Sequence, residues 1–280
     1  MTCRRHLLLI AAATLCLSAS PVFAADATLQ AAVASPDRTP ANVARDGARH
    51  PYESLSFWGL KPKQTVIEVS PGGGYWTEIL APYAKAAGGV YVAGLADLAN
   101  PKISEGARKG RANFEMRFLD PAKYGTVRFV NFGPVAGPLG AAGSADLVLT
   151  ARNVHNWTVQ PGVADKIFKD FFDVLKPGGI LAVEDHRADP KSETDKGADG
   201  YLATATVVAL AEKAGFKLDA KSEINANPKD TKDHPFGVWT LPPTRQSAAD
   251  GQPADPNFDR AKYDAIGESD RMTLRFRKPG

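Results

Sequence analysis

The chain has 280 residues, 44 % of them hydrophobic, and its 34 Lys and Arg nearly balance its 31 Asp and Glu, for a net charge of +3. Such a balance is no footprint for nucleic acid or for an anionic membrane surface. Both cysteines, Cys3 and Cys16, fall within the first 24 residues, so the rest of the chain can build no disulfide, zinc–thiolate site or cysteine nucleophile.

Residues 1–24 read as a leader. Arg4 and Arg5 precede the apolar run HLLLIAAATLCLSA, and Val22 and Ala24 set small residues before an expected cut at Ala24/Ala25. The run is too short and wrongly flanked for a membrane anchor, so the expectation is a secretory signal peptide. No later apolar run is long enough to span a bilayer. Residues 25–60 form a helical preface. Thr39-Pro40 and His50-Pro51 each offer a proline at a first helical position, and Gly59 can close the last helix.

From residue 61 the pattern changes to short β-branched runs between amphipathic stretches. The strands are predicted at TVIEVS (from Thr65), GVYVAG (ending at Gly94), TVRFVNF (from Thr126), ADLVLTARNV (145–154), GILAVED (179–185), KLDAKSEI (217–224) and RMTLRFRKP (from Arg271). The helices between them include YWTEILAPYAKAAGG and GVADKIFKDFFDVL, the second with Ile167, Phe168, Phe171, Phe172 and Leu175 on one face. Alternating strands and helices imply a mostly parallel sheet of Rossmann type with helices on both faces, in a domain spanning 61–280. The proline-rich stretch at about 225–269 is expected as a long surface loop or lid.

Two stretches carry chemistry. In VIEVSPGGGYW, the loop of Ser70, Pro71, Gly72, Gly73 and Gly74 lies between a strand and its helix. Small residues there let a ligand approach the backbone, and the amides favour a carboxylate or phosphate. A flexible turn is the plain alternative. Glu68 beside the loop can hold an ammonium, so the pair suits a zwitterionic amino-acid moiety. The loop is not a Gly-x-x-x-x-Gly-Lys-Ser/Thr phosphate loop, which disfavours a nucleoside triphosphate. The second stretch is LKPGGILAVEDH, where Pro177-Gly178 turns a helix into a buried strand.

Together, VIEVSPGGGYWTEIL, ADLVLTARNVHNW and LKPGGILAVEDHRA resemble the class I S-adenosylmethionine-dependent methyltransferases, most closely a branch of exported bacterial predicted methyltransferases. The resemblance implies a seven-stranded sheet whose last strand is antiparallel, with S-adenosyl-L-methionine as cofactor. It also implies periplasmic residence and a small-molecule substrate, with no nucleic-acid partner, no membrane anchor and no stated oligomer. Carried over, Glu68 and Ser70 to Gly74 match the cofactor loop, and Asn153 to His155 match the position after strand four. Such enzymes place an acid at the end of strand two against the ribose hydroxyls. Here the strand reads as ending at Gly94, with Asp97 the nearest acid. After strand three VNFGP offers no acid for the adenine, and Asp120 lies upstream.

His155 and His186 each follow an apolar strand, so the topology brings them to one crevice, and Glu184 and Asp185 reach the same edge. His155 is the candidate base, with Glu184 or Asp185 to orient it. Each histidine can equally be a hydrogen-bonded structural residue. Trp157 either walls the site or packs in the core. Arg45, Asp46 and Arg49 either close over the pocket or are inert helix charges. Two rivals use the same residues: an exported non-catalytic binding protein, and a metal site of His155, His186 and Asp185, which their scattered spacing does not favour. No metal is expected.

Overall fold

The computed structural model describes residues 26–189 and 197–280. The expected leader and its cleavage site, with both cysteines, lie outside them. The preface is four short helices, α1 (Ala27–Val33), α2 (Pro40–Val43), α3 (Asp46–Arg49) and α4 (Pro51–Phe57). Asp26 caps α1 by accepting from the Thr28 and Leu29 N–H groups, and Pro40 and Pro51 open α2 and α4.

The domain follows as β1 (Thr65–Val69), α5 (Thr77–Ala87), β2 (Val90–Ala96), α6 (Glu105–Arg117), α7 (Pro121–Tyr124), β3 (Val127–Phe132), β4 (Ala145–Ala151), α8 (Val154–Thr158), α9 (Val163–Val174) and β5 (Leu175–His186). It ends with α10 (Thr204–Lys213), β6 (Lys217–Ser222), β7 (Pro235–Val238), α11 (Arg260–Ile266) and β8 (Arg271–Arg277). Seven strands form one sheet in the order β3-β2-β1-β4-β5-β8-β6. β1 to β5 pair in parallel, and β8 runs antiparallel to both β5 and β6. The expected seven-stranded Rossmann-like sheet with an antiparallel last strand is what forms.

Each face of the sheet buries its own core. One holds Ile67, Val148, Phe168, Phe171 and Phe276, the other Leu55, Trp58, Leu80, Tyr91 and Leu147. The helical period explains α9: Ile167, Phe168, Phe171 and Val174 are all buried against the sheet. Trp157 joins this core, edge-on to Phe132 and Phe171, so it is a packing residue. Among the described residues, no helix is long and apolar enough to cross a membrane.

Four boundaries differ from the sequence reading, each for a local reason. β2 runs on to Ala96, because Leu95 and Ala96 pair with Asn131 and Phe132 of β3. Asp97 therefore stands directly at the strand's end. β4 stops at Ala151, and residues 154–158 turn into α8 rather than extending the strand. The register jumps from Ala145↔Leu175 to Leu147↔Ile180, so the KPGG turn is bulged out within β5, with Gly178 at φ +77°. The stretch expected as a loop at 225–269 carries β7 and α11. It is pinned by buried polar groups: Asn225 donates to Thr273 Oγ1 (2.9 Å), and Asp230 accepts from Tyr201 Oη and from the Asp270 N–H (2.7 Å).

Strand order reverses between β1 and β4, which opens a crevice at their C-terminal ends. The glycine loop at this crevice has two kinds of glycine. A Cβ on Gly74 meets Phe118 Cζ at 2.5 Å, and its φ is +79°, whereas a Cβ on Gly73 meets nothing within 4 Å. Gly74→Ala is therefore expected to cost about 2–4 kcal/mol from left-handed backbone and overlap together. Gly73→Ala is expected to stay within about 0.5 kcal/mol of the parent. Urea unfolding of both variants checks the contrast, and equal effects contradict it.

Candidate active site

The glycine loop is held from two sides. Ser70 N–H donates to Gly94 O (2.9 Å), and Gly74 N–H donates to Pro71 O (2.9 Å), so these amides serve the fold. Ser70 and Gly72 both have positive φ, +48° and +57°. Arg117 of α6 donates to Gly73 O (2.9 Å) and reaches Glu78 and Thr39, which ties the loop to the preface. The stretch of the loop that faces open space is Gly72–Gly73.

Glu68 lies beneath the loop rather than beside it. Its carboxylate is buried and accepts from Thr77 Oγ1 (2.9 Å) and Tyr91 Oη (2.5 Å). Burial raises its pKa to about 7, against the lowering effect of the Tyr91 and Thr77 hydrogen bonds. Asp97 is buried at the end of β2, with Oδ1 accepting from Ala99 N–H (2.9 Å). Asp120 is the N-cap of α7, accepting from Ala122 N–H (2.8 Å), and serves that helix.

Asn153 closes the gap between the two central strands. Its Nδ2 donates to Ala151 O (3.0 Å) and lies 3.4 Å from Val69 O. Two residues on, His155 sits in the first turn of α8. Asp185 at the end of β5 receives three donors: His155 N–H to Oδ2 (3.1 Å), His155 Nδ1 to Oδ1 (2.8 Å) and His186 N–H to Oδ1 (2.8 Å). With Nδ1–H donated to the carboxylate, His155 presents Nε2 as an acceptor. Of the two acids proposed to orient His155, Asp185 does so. Strand pleating sends the neighbouring Glu184 elsewhere, into an ion pair with Arg271 (Nε to Oε1, 3.0 Å). His186 stacks obliquely 5.2 Å from the His155 ring, with Nδ1 2.5 Å from Ser269 Oγ. Burial, then His155 and Arg152, hold His186 well below the ordinary histidine range, so it stays neutral at neutral pH.

His155, Asp185 and His186 offer ligand atoms within 4.8 Å of one another, the composition of a two-histidine, one-carboxylate metal set. The Asp185 oxygens are already engaged by the three N–H donors, and Arg152, Arg271 and Arg49 all lower the His186 pKa, so the local field opposes a divalent cation.

The preface does close on this region. Arg38 and Asp46 form a paired fork (2.6 and 2.7 Å), and Asp46 also accepts from Tyr75 Oη (2.7 Å), directly after the glycine loop. Arg45, Arg49 and Arg271 converge on Glu268, with Nε of Arg45 at 2.7 Å and of Arg49 at 2.9 Å. Burial works against the Glu268 carboxylate, but Arg49, Arg271 and Arg45 outweigh it and hold its pKa at about 2. His50 stands apart at the α3–α4 junction, 3.5 Å from Asn225 Oδ1.

Beside the dyad lies a cavity of about 190 Å³ lined by Arg152, His155, His186, Trp239, Glu268 and Ser269, among others. Trp239 and Arg152 escaped the sequence reading. Trp239 comes from the proline-rich stretch and stands edge-on to His155 at 6.1 Å. Arg152 sits inside the ARNVHNW stretch, but nothing in that pattern marks its guanidinium for the site, and Trp239 belongs to no motif; only the folding of its stretch brings Trp239 here.

No family model and no curated protein matches this chain. Solved structures do. The chain is similar to the [4+2]-cyclase SpnF, with TM-score 0.54 and 14 % identity, over 83 % of this chain and 80 % of that one. A candidate methyltransferase from Bacillus halodurans C-125 gives TM-score 0.51 and 18 % identity, over 83 % of this chain and 100 % of that one. A candidate sarcosine dimethylglycine methyltransferase from Galdieria sulphuraria gives 0.50 and 13 %, over 85 % and 86 %. The chain has the class I methyltransferase fold. At these identities the likeness is one of fold, and a cyclase shares it, so the chemistry has to be argued from the side chains.

The buried Glu68 supplies a pH test of the site. Its folded pKa of about 7 lies above its ordinary value of 4.5, so its contribution favours the folded state below about pH 4.5 and is lost as pH rises through 7. Glu68→Gln is therefore expected to stabilise the protein at pH 8 by about 1–3 kcal/mol, an advantage that vanishes near pH 4.5. Urea unfolding at the two pH values measures this, and a variant less stable than the parent at pH 8 contradicts it.

Proposed function

We propose that this protein is an S-adenosylmethionine-dependent methyltransferase acting on a small molecule, with His155 as general base. The observation that carries the reading is the Asp185–His155 pair, set at the ends of β5 and β4 beside the glycine loop. A non-catalytic binding protein accounts for a pocket but gives this pair no task.

The residues present fit the cofactor. Gly72 and Gly73 leave open space where side chains elsewhere fill it, and their amides take no acceptor among the described residues. Asp97 occupies the strand-two position that the resemblance assigns to the ribose hydroxyls, with Oδ1 on the Ala99 N–H and Oδ2 without a partner among the described residues. Glu68 beneath the loop supplies a carboxylate that an ammonium overhead would draw into its charged form. When bound, the cofactor supplies an electrophilic methyl group on a sulfonium. The protein's part is then alignment and removal of a proton. Asp185 holds the His155 ring with Nδ1–H inward, so Nε2 can take the proton from the acceptor's nucleophile. Asn153 fixes the loop end against β4, which sets the distance between the two halves of the site. The basic, apolar leader and the Ala24/Ala25 junction support export, so the reaction belongs to the periplasm.

Calorimetry with S-adenosylhomocysteine and transfer of a labelled methyl group into a small-molecule extract test the reading. His155→Gln is expected to bind S-adenosylhomocysteine within about threefold of the parent and to lose transfer by about 10²–10⁴-fold. Absence of binding at millimolar ligand sinks the proposal, as does a variant with unchanged transfer.

A further inference from the structure

Positive charge is in surplus beside the dyad. Arg45, Arg49, Arg152 and Arg271 face Glu184 and Glu268, and the surplus persists when Asp185 is counted. Glu268 is committed to Arg45, Arg49 and Arg271; Glu184 makes an ion-pair contact with Arg271 (3.0 Å), with neither of its oxygens hydrogen-bonded among the described residues. Arg152 is left over. It makes no ion pair and no side-chain hydrogen bond among the described residues, and its Nε is sealed from solvent without a partner. One nitrogen of the buried Arg49 side chain is in the same condition. Arg152 also carries backbone strain, with φ +60° at a non-glycine position directly after β4. A guanidinium that is half-buried, with Nε sealed and no counter-charge in contact, and a strained backbone at the same residue are costs that a structural role does not explain.

Arg152 lines the cavity of about 190 Å³ that His155 and Trp239 share. The cavity is open on one side and has room for a small ligand beside the guanidinium. Guanidinium forks pair with carboxylate or phosphate oxygens through two parallel hydrogen bonds. We propose that Arg152 anchors an acceptor subsite for the anionic oxygens, carboxylate or phosphate, of a small acid whose nucleophile then lies at His155. The second clause rests on the methyl-transfer reading; the anion subsite does not. Burial, then Arg49, depress the Arg152 pKa to about 9, and Glu268 and Glu184 offset this only in part. An anion in the cavity supplies the missing counter-charge.

The test titrates the full protein with inorganic phosphate and with benzoate, each against chloride at matched ionic strength, by thermal unfolding and calorimetry. At least one of the two is expected to bind and to raise the unfolding midpoint beyond chloride. Binding of benzoate alone identifies a carboxylic acid, and binding of phosphate alone a phosphorylated one. Arg152→Gln is expected to weaken that binding at least tenfold, and Arg152→Lys to fall between. Without anion, Arg152→Gln is expected to unfold at an equal or higher temperature than the parent, because it removes an uncompensated charge. A midpoint lowered in both variants without anion marks Arg152 as structural and overturns the proposal. So does anion binding unchanged in Arg152→Gln, or no response to either anion beyond chloride. Anion binding without S-adenosylhomocysteine binding leaves the subsite standing and sinks methyl transfer alone; the reverse sinks the subsite alone.

Discussion

One buried carboxylate gathers the molecule around its crevice. Glu268 lies at the far end of the proline-rich stretch, and its charge is shared by Arg45 and Arg49 of the preface and by Arg271 at the start of β8. Removing Glu268 from so dry a place leaves three guanidinium groups without their shared counter-charge, a loss of about 3–5 kcal/mol. The knot therefore sets where the preface sits, and the preface in turn holds Asp46 and Arg38 against Tyr75 at the end of the glycine loop. The same knot delivers Ser269, the next residue, to His186. Segments more than two hundred residues apart in sequence thus meet over the ends of β1, β4 and β5.

The strands were legible because their β-branched, buried runs are bounded by turn residues, and the parallel order followed from their alternation with helices. What the sequence left open were matters of a residue or two. Whether β2 ends at Gly94 or Ala96 decides whether Asp97 stands at the strand end, and that depends on pairing with β3, which local pattern does not reveal. Choosing between Glu184 and Asp185 requires the phase of the pleat at the end of β5. The arginines of the preface look like ordinary helix charges until the distant Glu268 is in place. Arg152 lies in the ARNVHNW motif, which gives its side chain no role, Trp239 lies in none, and only the folding of residues 225–269 brings Trp239 onto the cavity.

The division of labour at the crevice is physical. The glycine loop supplies space at Gly72 and Gly73, whose amides meet no acceptor among the described residues, while Gly74 lacks a side chain because Phe118 lies against it. The Asp185 carboxylate spends its acceptors on orienting one imidazole and stabilising the turn beneath it. The arginine surplus favours an anionic guest and disfavours a metal cation at the same histidines. A fold shared with a cyclase does not select among reactions; a carboxylate-oriented histidine beside an open glycine loop is what supports the proposed transfer to a proton-bearing nucleophile.

The central claim is that the glycine loop and His155 serve one reaction centre. Nuclear magnetic resonance of the protein with S-adenosylmethionine carrying a ¹³C-labelled methyl group tests it most directly. The account predicts a nuclear Overhauser contact between the labelled methyl and the His155 ring, with that ring in the Nδ1–H tautomer. A bound cofactor whose methyl contacts no proton of His155, or a His155 ring protonated on Nε2 alone, contradicts it.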